Sequence, residues 1–215
     1  MKRNRILIVD DHPLVRQGLA LNLSMQADFE VCGEAEAESE ALKLVKENRP
    51  DVMLVDINLK SGHGIELVKQ VKARFPAVKM LVLSGFQETL YGERALRAGA
   101  SGYLNKQESA GKLVEAIRIV LLGERYVSPE LSRRLIAQAL ESRGEVKEPI
   151  ELLSDRELEV FRLIGQGITS GAIANQLHLS HHTVDTHREN IKRKIGAKDA
   201  GQLSRQAVQW MLENG

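Results

Sequence analysis

From Ile6 to Leu122 the chain alternates between short apolar runs and stretches whose apolar residues recur every three or four positions. Ile6 to Val9, Phe29 to Cys32, Val52 to Val55, Val78 to Leu83 and Ser101 to Leu104 are runs of strand length. Runs this short, closed by polar residues, predict strands buried on both faces of a parallel sheet. The stretches between them predict helices. Pro13 opens the first at a position where its missing N–H does no harm, and Leu14, Val15, Gly18, Leu19, Leu21 and Leu23 give it an apolar face. Others are expected over Ser39 to Asn48, from Gly64 with Ile65, Val68 and Val71 on one stripe, over Gln87 to Ala98 and over Ser109 to Leu122. Five strand–helix units in alternation predict an α/β fold, with a parallel sheet covered on both faces.

Beyond Gly123 the pattern changes. Pro129 to Ser142 keeps helical spacing, whereas Arg143 to Pro149 is polar, holds Gly and Pro, and predicts a linker. Only helix-period stretches remain from there to Gly215. Ser154 and Glu157 form a capping box, each side chain satisfying a backbone N–H of the other's turn, and open a helix to about Ile164. A short helix from Ser170 to Leu177, a turn, a helix from His181 to Ile195 and a last one from Asp199 to Leu212 complete a small all-α, four-helix unit. The expected division is 1–125 for the α/β domain, 126–149 for a linker helix and flexible linker, and 150–215 for the helical domain.

With 215 residues, 43% of them hydrophobic, the chain can bury two small cores. A net charge of +1 excludes a globally basic nucleic-acid coat but leaves room for a local patch. Cys32 is the only cysteine, so neither a disulfide framework nor a cysteine zinc site can be built; it reads as a small hydrophobe. The opening Met1 to Asp11 has too short an apolar run for a signal peptide, and no run reaches membrane-spanning length. A cytoplasmic protein with no membrane partner is expected.

The polar residues that close the strands carry the chemistry. Asp10 and Asp11 follow the first strand, Asp56 the third, Ser84 the fourth, and Asn105 and Lys106 the fifth. In open α/β sheets ligands sit beyond the carboxyl ends of the strands, so parallel packing gathers these groups on one rim. Each alone has a plain structural reading as a cap, a turn residue or a solvated lysine; their coincidence at four strand ends favours a site. Three clustered carboxylates repel one another unless a cation is present. Mg²⁺ fits, as a hard cation held by carboxylates, water and a phosphate oxygen. Asp10 and Asp11 would then be ligands, and Asp56 would offer one oxygen to the metal and the other as a nucleophile. Lys106 would neutralise a transferred phosphoryl group, and Ser84 would donate a hydrogen bond to it.

VDDHPLVRQGL, the strand-end Asp56, LVLSG and ALRAGASGYLNK resemble the receiver domains of two-component response regulators, over roughly residues 4–122. The resemblance implies a flavodoxin-like, doubly wound sheet of five parallel strands in the order 2-1-3-4-5. It implies Asp56 as phosphoacceptor, with Asp10, Asp11, Asp56 and the Asn58 backbone carbonyl around Mg²⁺. Ser84 and Lys106 would be the family's hydroxyl and lysine, and Tyr103 its switch aromatic. Such a receiver is no enzyme beyond catalysing its own phosphoryl transfer and dephosphorylation. Two positions depart from the family: Gly85 follows the hydroxyl where a residue such as Ala is usual, and Gln107 replaces the Pro after Lys106, which predicts a looser loop.

The helix from His181 buries Val184, Ile191 and Ile195 on one stripe and is polar elsewhere. That suits a recognition helix in the major groove, and equally an ordinary solvated face. LSDRELEVFRLIGQGITSGAIANQLHLSHHTVDTHRENIKRKIGA resembles the LuxR-type helix-turn-helix domain, over about residues 150–212. Receiver and reader together resemble the NarL/FixJ type of transcriptional regulator. The resemblance implies double-stranded DNA as a partner, contacted by Thr183, Val184, Asp185, Thr186, His187, Arg188, Lys192 and Lys194. Asp185 can accept from a cytosine amino group, and Arg188, Lys192 and Lys194 suit phosphates. A cognate sensor histidine kinase is implied, as is a homodimer after phosphorylation. That dimer would form through the face from Gln87 to Lys106, or through the Pro129 helix and the last helix; release of a masked recognition helix is the alternative step. Two rivals stay open. One is a phosphatase using aspartyl-phosphate chemistry, which Asp10-Asp11-His12 disfavours because it lacks a strand-end DxD. The other is a regulator of this architecture switched by a ligand or protein without phosphorylation.

Overall fold

The computed structural model describes residues 3–85, 88–141 and 149–214. They form two compact units, 1–138 and 139–215.

The first unit is built on five parallel strands, β1 (Asn4–Val9), β2 (Phe29–Ala35), β3 (Val52–Asp56), β4 (Lys79–Ser84) and β5 (Gly102–Asn105), in the spatial order β2-β1-β3-β4-β5. Crossovers run through α1 (Pro13–Ser24), α2 (Glu38–Asn48), α3 (Gly64–Arg74) and α4 (Glu88–Ala98); α5 (Ala110–Leu121) and α6 (Pro129–Glu141) follow β5. Successive residues of a strand point to opposite faces, so an apolar run fills two layers at once. Ile6, Ile8, Val52, Leu54, Leu81 and Leu83 pack with Leu113, Ile117 and Val120 of α5 and with Leu23 of α1. Their neighbours Leu7, Met53, Met80 and Val82 are equally buried on the other face. Observed element ends differ from the sequence reading by a few residues: β2 continues past Cys32 to Ala35, and Cys32 is half-buried on this edge strand. Gln87, where a helix was expected to start, lies outside the described residues, as do position 142, the expected end of the Pro129 helix, and 143–148 of the expected linker 143–149.

α1 corrects the sequence reading. Of the six residues read as its apolar face, only Leu23 is fully buried, while Leu14 is 82% and Leu21 68% exposed. The helix carries two apolar stripes. Leu19 and Leu23, four residues apart, pack into the sheet's core with Val15 half-buried a turn earlier, and Leu14, Gly18, Leu21 and, just past the helix, Met25 face solvent. Apolar residues on both sides leave the periodicity without a unique inward direction.

β5 ends the sheet, and its open edge is covered by the chain beyond α5. The Tyr126 N–H donates to the Ser101 carbonyl at 3.1 Å, and the Tyr103 N–H to the Tyr126 carbonyl at 2.9 Å. At Gly102 a Cβ would stand 2.5 Å from the Tyr126 carbonyl oxygen, so glycine is what admits this strand-like contact. α6 then docks on α4: the Glu88 carboxylate accepts the Ser128 N–H at 2.9 Å, and buried Leu131 sits where a Gly92 Cβ would be.

The second unit opens with a 3₁₀ turn, Pro149–Leu152, followed by α7 (Asp155–Gly165), α8 (Ser170–Gln176), α9 (His181–Ile195) and α10 (Ala200–Asn214). Ser154, Thr169 and Ser180 cap α7, α8 and α9, each hydroxyl accepting a backbone N–H of the first turn. The capping box at Ser154 and Glu157 is complete. Leu158, Phe161, Ile173, Val184, Ile191 and Leu203 are buried in its core, and Phe161 meets Trp210 with ring centroids 5.8 Å apart.

Candidate functional site

Strand ends deliver every member of the acidic rim. β1 hands on Asp10 and Asp11, β3 ends in Asp56, β4 ends in Ser84, and Lys106 follows β5. The strand order reverses at β1 and β3, so the loops beyond them part and leave a crevice between Asp10 and Asp56. Both are buried, Asp11 is half-buried, and one ligand atom from each of Asp10, Asp11, His12 and Asp56 lies within 4.8 Å of the others. The Gly64 N–H donates to the Ile57 carbonyl at 2.8 Å, and a Cβ at Gly64 would stand 2.0 Å from the Asp56 carbonyl oxygen. Only glycine lets α3 start this close to the Asp56 strand end.

Lys106 bridges the crevice. Its Nζ is 2.6 Å from Asp10 Oδ2 and 2.9 Å from Asp56 Oδ2. The other Asp10 oxygen accepts the His12 N–H at 2.9 Å, and the Asp10 carbonyl accepts from Arg16 Nη1 at 2.7 Å, which ties the first turn of α1 to the pocket. Burial pushes the Asp56 carboxyl up to about 6; Lys106 opposes the rise, and Asp10 and Asp11 add to it. For Lys106, burial works against the ammonium, yet Asp56 and Asp10 hold it above the ordinary lysine value. One ammonium facing three carboxylates leaves the pocket short of positive charge. Its oxygen donors match a hard divalent cation, so Mg²⁺ fits.

Ser84 is fully buried, and its side chain is hydrogen-bonded to the phenol of Tyr103, which is buried too. Burial pushes that phenol well above the usual tyrosine value, against the Ser84 bond. The Lys106 N–H donates to the Ser84 carbonyl at 2.8 Å. The loop that lacks proline is closed differently: Asn105 Oδ1 accepts the Gln107 N–H at 2.9 Å. Asn58, two residues beyond Asp56, pairs with His63 in an isolated bridge.

The raised Asp56 value has a sign that can be tested. The fold favours protonated Asp56, so its contribution to stability is present below the ordinary carboxylate value of 3.8 and is lost as pH rises through about 6. In EDTA, Asp56→Asn is expected to become more stable than the parent as pH climbs from about 4 to about 7, the gap reaching about 3 kcal/mol. Urea melts of both proteins across that range check it, and a gap that stays flat would refute the assignment.

In the second unit α9 presents His181, His182, Asp185, Thr186, Glu189 and Arg193 as its exposed residues. Thr183, His187, Arg188 and Lys192 are half-buried beside them. Two of the sequence-derived DNA contacts are placed elsewhere. Val184 is fully buried, because it belongs to the stripe that packs α9. Lys194 turns inward, its Nζ 2.6 Å from Glu157 Oε2. Arg156, which pairs with buried Glu159 at 2.6 Å, donates to the Leu177 carbonyl at 2.7 Å. These polar ties fix α7 to the end of α8 and to the last turn of α9. Burial pushes the half-buried His187 imidazole down, with Arg156 adding to the fall and Glu157 opposing it.

Comparison with known proteins matches residues 6–118 to the response regulator receiver domain and residues 151–207 to the bacterial regulatory proteins of the luxR family. The transcriptional regulatory protein DegU of Brevibacillus brevis is 35% identical, over 98% of this chain and 94% of its own. The response regulator VraR of Staphylococcus aureus is also 35% identical, over 97% of this chain and 98% of its own. The chain belongs to the response regulators with a LuxR-type output domain. Among solved structures, RcsB of Salmonella enterica serovar Typhimurium, bound to a promoter in the presence of the phosphomimetic BeF₃⁻, superposes on this response regulator with a TM-score of 0.64. The two share 25% identity over 97% of this chain and all of that one.

Sequence reasoning missed three residues of this regulator. His12 joins the ligand-bearing cluster, and its place next to Asp11 was the only signal. Arg16, which clamps the Asp10 carbonyl, drew no functional reading from the sequence. Glu189 stands on the exposed face of α9 and, like Asp185, has the chemistry to accept from a cytosine amino group. Among the described residues no helix is long and apolar enough to cross a membrane.

Proposed function

We propose that this response regulator is switched by phosphorylation of Asp56, with a sensor histidine kinase or a small phosphodonor supplying the phosphoryl group. The observation that carries the reading is Lys106, whose ammonium lies 2.9 Å from a buried strand-end carboxylate. An ammonium so placed balances the charge that grows on a phosphoryl group as an Asp56 oxygen attacks phosphorus and the donor bond breaks. Asp10, Asp11 and Asp56, with the Asn58 carbonyl, would hold Mg²⁺, whose charge would screen the phosphate oxygens. Ser84 then exchanges its Tyr103 partner for a phosphoryl oxygen. That rearrangement carries the signal to the surface, and the regulator acts in the cytoplasm as a phosphorylation-dependent dimer on double-stranded DNA. The division 1–125, 126–149 and 150–215 serves this scheme, with the segment from Tyr126 reading the state of β5 and α4. Asp185, Thr186 and Arg188 face DNA in it, joined by Thr183, His187 and Lys192 at the edges.

The test is promoter affinity at fixed salt, measured by fluorescence anisotropy with Mg²⁺ before and after exposure to acetyl phosphate. Affinity is expected to rise with phosphoryl incorporation, and to fall steeply with added salt in both states. Full incorporation with no change in affinity would favour the ligand-switched alternative.

A further inference from the structure

The outward row of α9 carries a charge pattern that phosphate contact does not explain. His181, Asp185, Glu189 and Arg193 stand four residues apart, so they share one face of the helix, and all four are exposed. Val184 and Ile191, turned to the core, fix that row as the outward one. Two carboxylates thus hold its middle, with side chains 53% and 71% exposed. Arg188 and Lys192, three residues after each acid, flank the row on one side, and Thr186 lies on the other. Each acid is tethered through one oxygen: His181 Nδ1 lies 3.0 Å from Asp185 Oδ2, and Lys192 Nζ 2.7 Å from Glu189 Oε1. The second oxygen, Oδ1 of Asp185 and Oε2 of Glu189, takes no hydrogen bond among the described residues.

We propose that Asp185 and Glu189 together set the operator sequence, each accepting a hydrogen bond from the 4-amino group of a cytosine in the major groove. The proposal rests on the reading of α9 as the helix that faces DNA. In a helix-turn-helix the early residues of the second helix reach base edges. Seated there, a carboxylate is repelled by the phosphates of both strands and gains only where a base offers a donor. Two bases do so in that groove, cytosine and adenine. Adenine sets its N7 acceptor beside its amino group, which suits an amide and repels the other oxygen of a carboxylate. On cytosine the amino group is the base's only polar feature there, and a carboxylate fits it. Four residues separate the two acids by about 6 Å along the helix axis, close to two base-pair steps. One half-site is therefore expected to hold two C·G pairs with that separation. As exposed pairs the tethers to His181 and Lys192 contribute little to stability; what they do is hold one oxygen of each acid and leave the second for a base. Arg188, at the flank, supplies the attraction to phosphate that the acids withhold.

The test is selection from a random-sequence duplex pool by the full chain, with Mg²⁺ and with or without acetyl phosphate, followed by fluorescence anisotropy on the enriched duplex at fixed salt. The parent is expected to enrich a half-site with two C·G pairs about two steps apart. Asp185→Asn is expected to exchange cytosine for adenine at one of them and Glu189→Gln at the other, since an amide pairs with both the donor and the acceptor of adenine. Both substitutions keep the shape of exposed side chains, and melting temperatures equal to the parent's certify their folding. Replacing either cytosine by 2-pyrimidinone, which lacks the 4-amino group, should cost the parent about tenfold in affinity and leave the matching variant unaffected. An acid that merely supports the helix would shift affinity for every duplex alike. A parent half-site without these cytosines, or variants that enrich the parent's own sequence, would overturn the proposal while leaving α9 as the DNA-reading helix. A parent that enriches no sequence in either state would overturn the proposal and that reading together.

Discussion

Asp56→Asn is expected to abolish phosphoryl uptake in a protein that is at least as stable as the parent. The amide keeps the shape of the carboxylate but is a poor nucleophile, so incorporation from acetyl phosphate should fall on the order of a thousandfold or more. Stability should move the other way at neutral pH, because Asp56 is a buried group whose ionisation the fold resists. Loss of function with gain of stability separates this outcome from simple misfolding. Scintillation counting of labelled phosphoryl groups, paired with a thermal melt, reads both. Uptake that survives at half the parent's level would move the acceptor to Asp10 or Asp11.

Lys106→Met is expected to have the largest effect on stability. It leaves Asp10 and Asp56, with side chains only 2% and 6% exposed, facing each other without their shared ammonium. Breaking a buried ion pair from one side costs about 3–5 kcal/mol, far more than the pair contributes when intact, because the stranded charges keep their desolvation penalty. For a unit of this size that is a fall of roughly 10 °C in melting temperature at neutral pH without metal. Mg²⁺ should recover part of the loss by supplying charge to the same oxygens. The double variant with Asp56→Asn should recover most of it, since the two sites share one interaction and cannot be additive. A Lys106→Met protein that melts with the parent in EDTA would mean that the pocket is too wet for its charges to matter.

The rim was legible because strand ends are. Short apolar runs that alternate with helix-period stretches point to strands buried on both faces of a parallel sheet, and that places Asp56, Ser84 and Lys106 at one rim. Strand order itself came from resemblance, since periodicity does not say which strand neighbours which. α1 was misread because apolar residues occupy both of its sides, and only packing decides which side meets the sheet. The partner of Lys194 was not legible: its sequence neighbours Lys192 and Arg193 suggest a basic surface, but Glu157, with which it pairs, lies on a different helix. The turn at Asn105 could not be foreseen either, because side-chain closure of a loop leaves no periodic trace.

Whether Asp56 carries the switch is decided by locating the phosphoryl group. The full chain is phosphorylated with acetyl phosphate and Mg²⁺, the acyl phosphate is reduced with borohydride to the alcohol, and the modified position is read by peptide mass spectrometry. Reduction is expected at position 56 and nowhere else. Reduction at position 10 or 11, or an unmodified peptide from protein that has nonetheless gained promoter affinity, would contradict it.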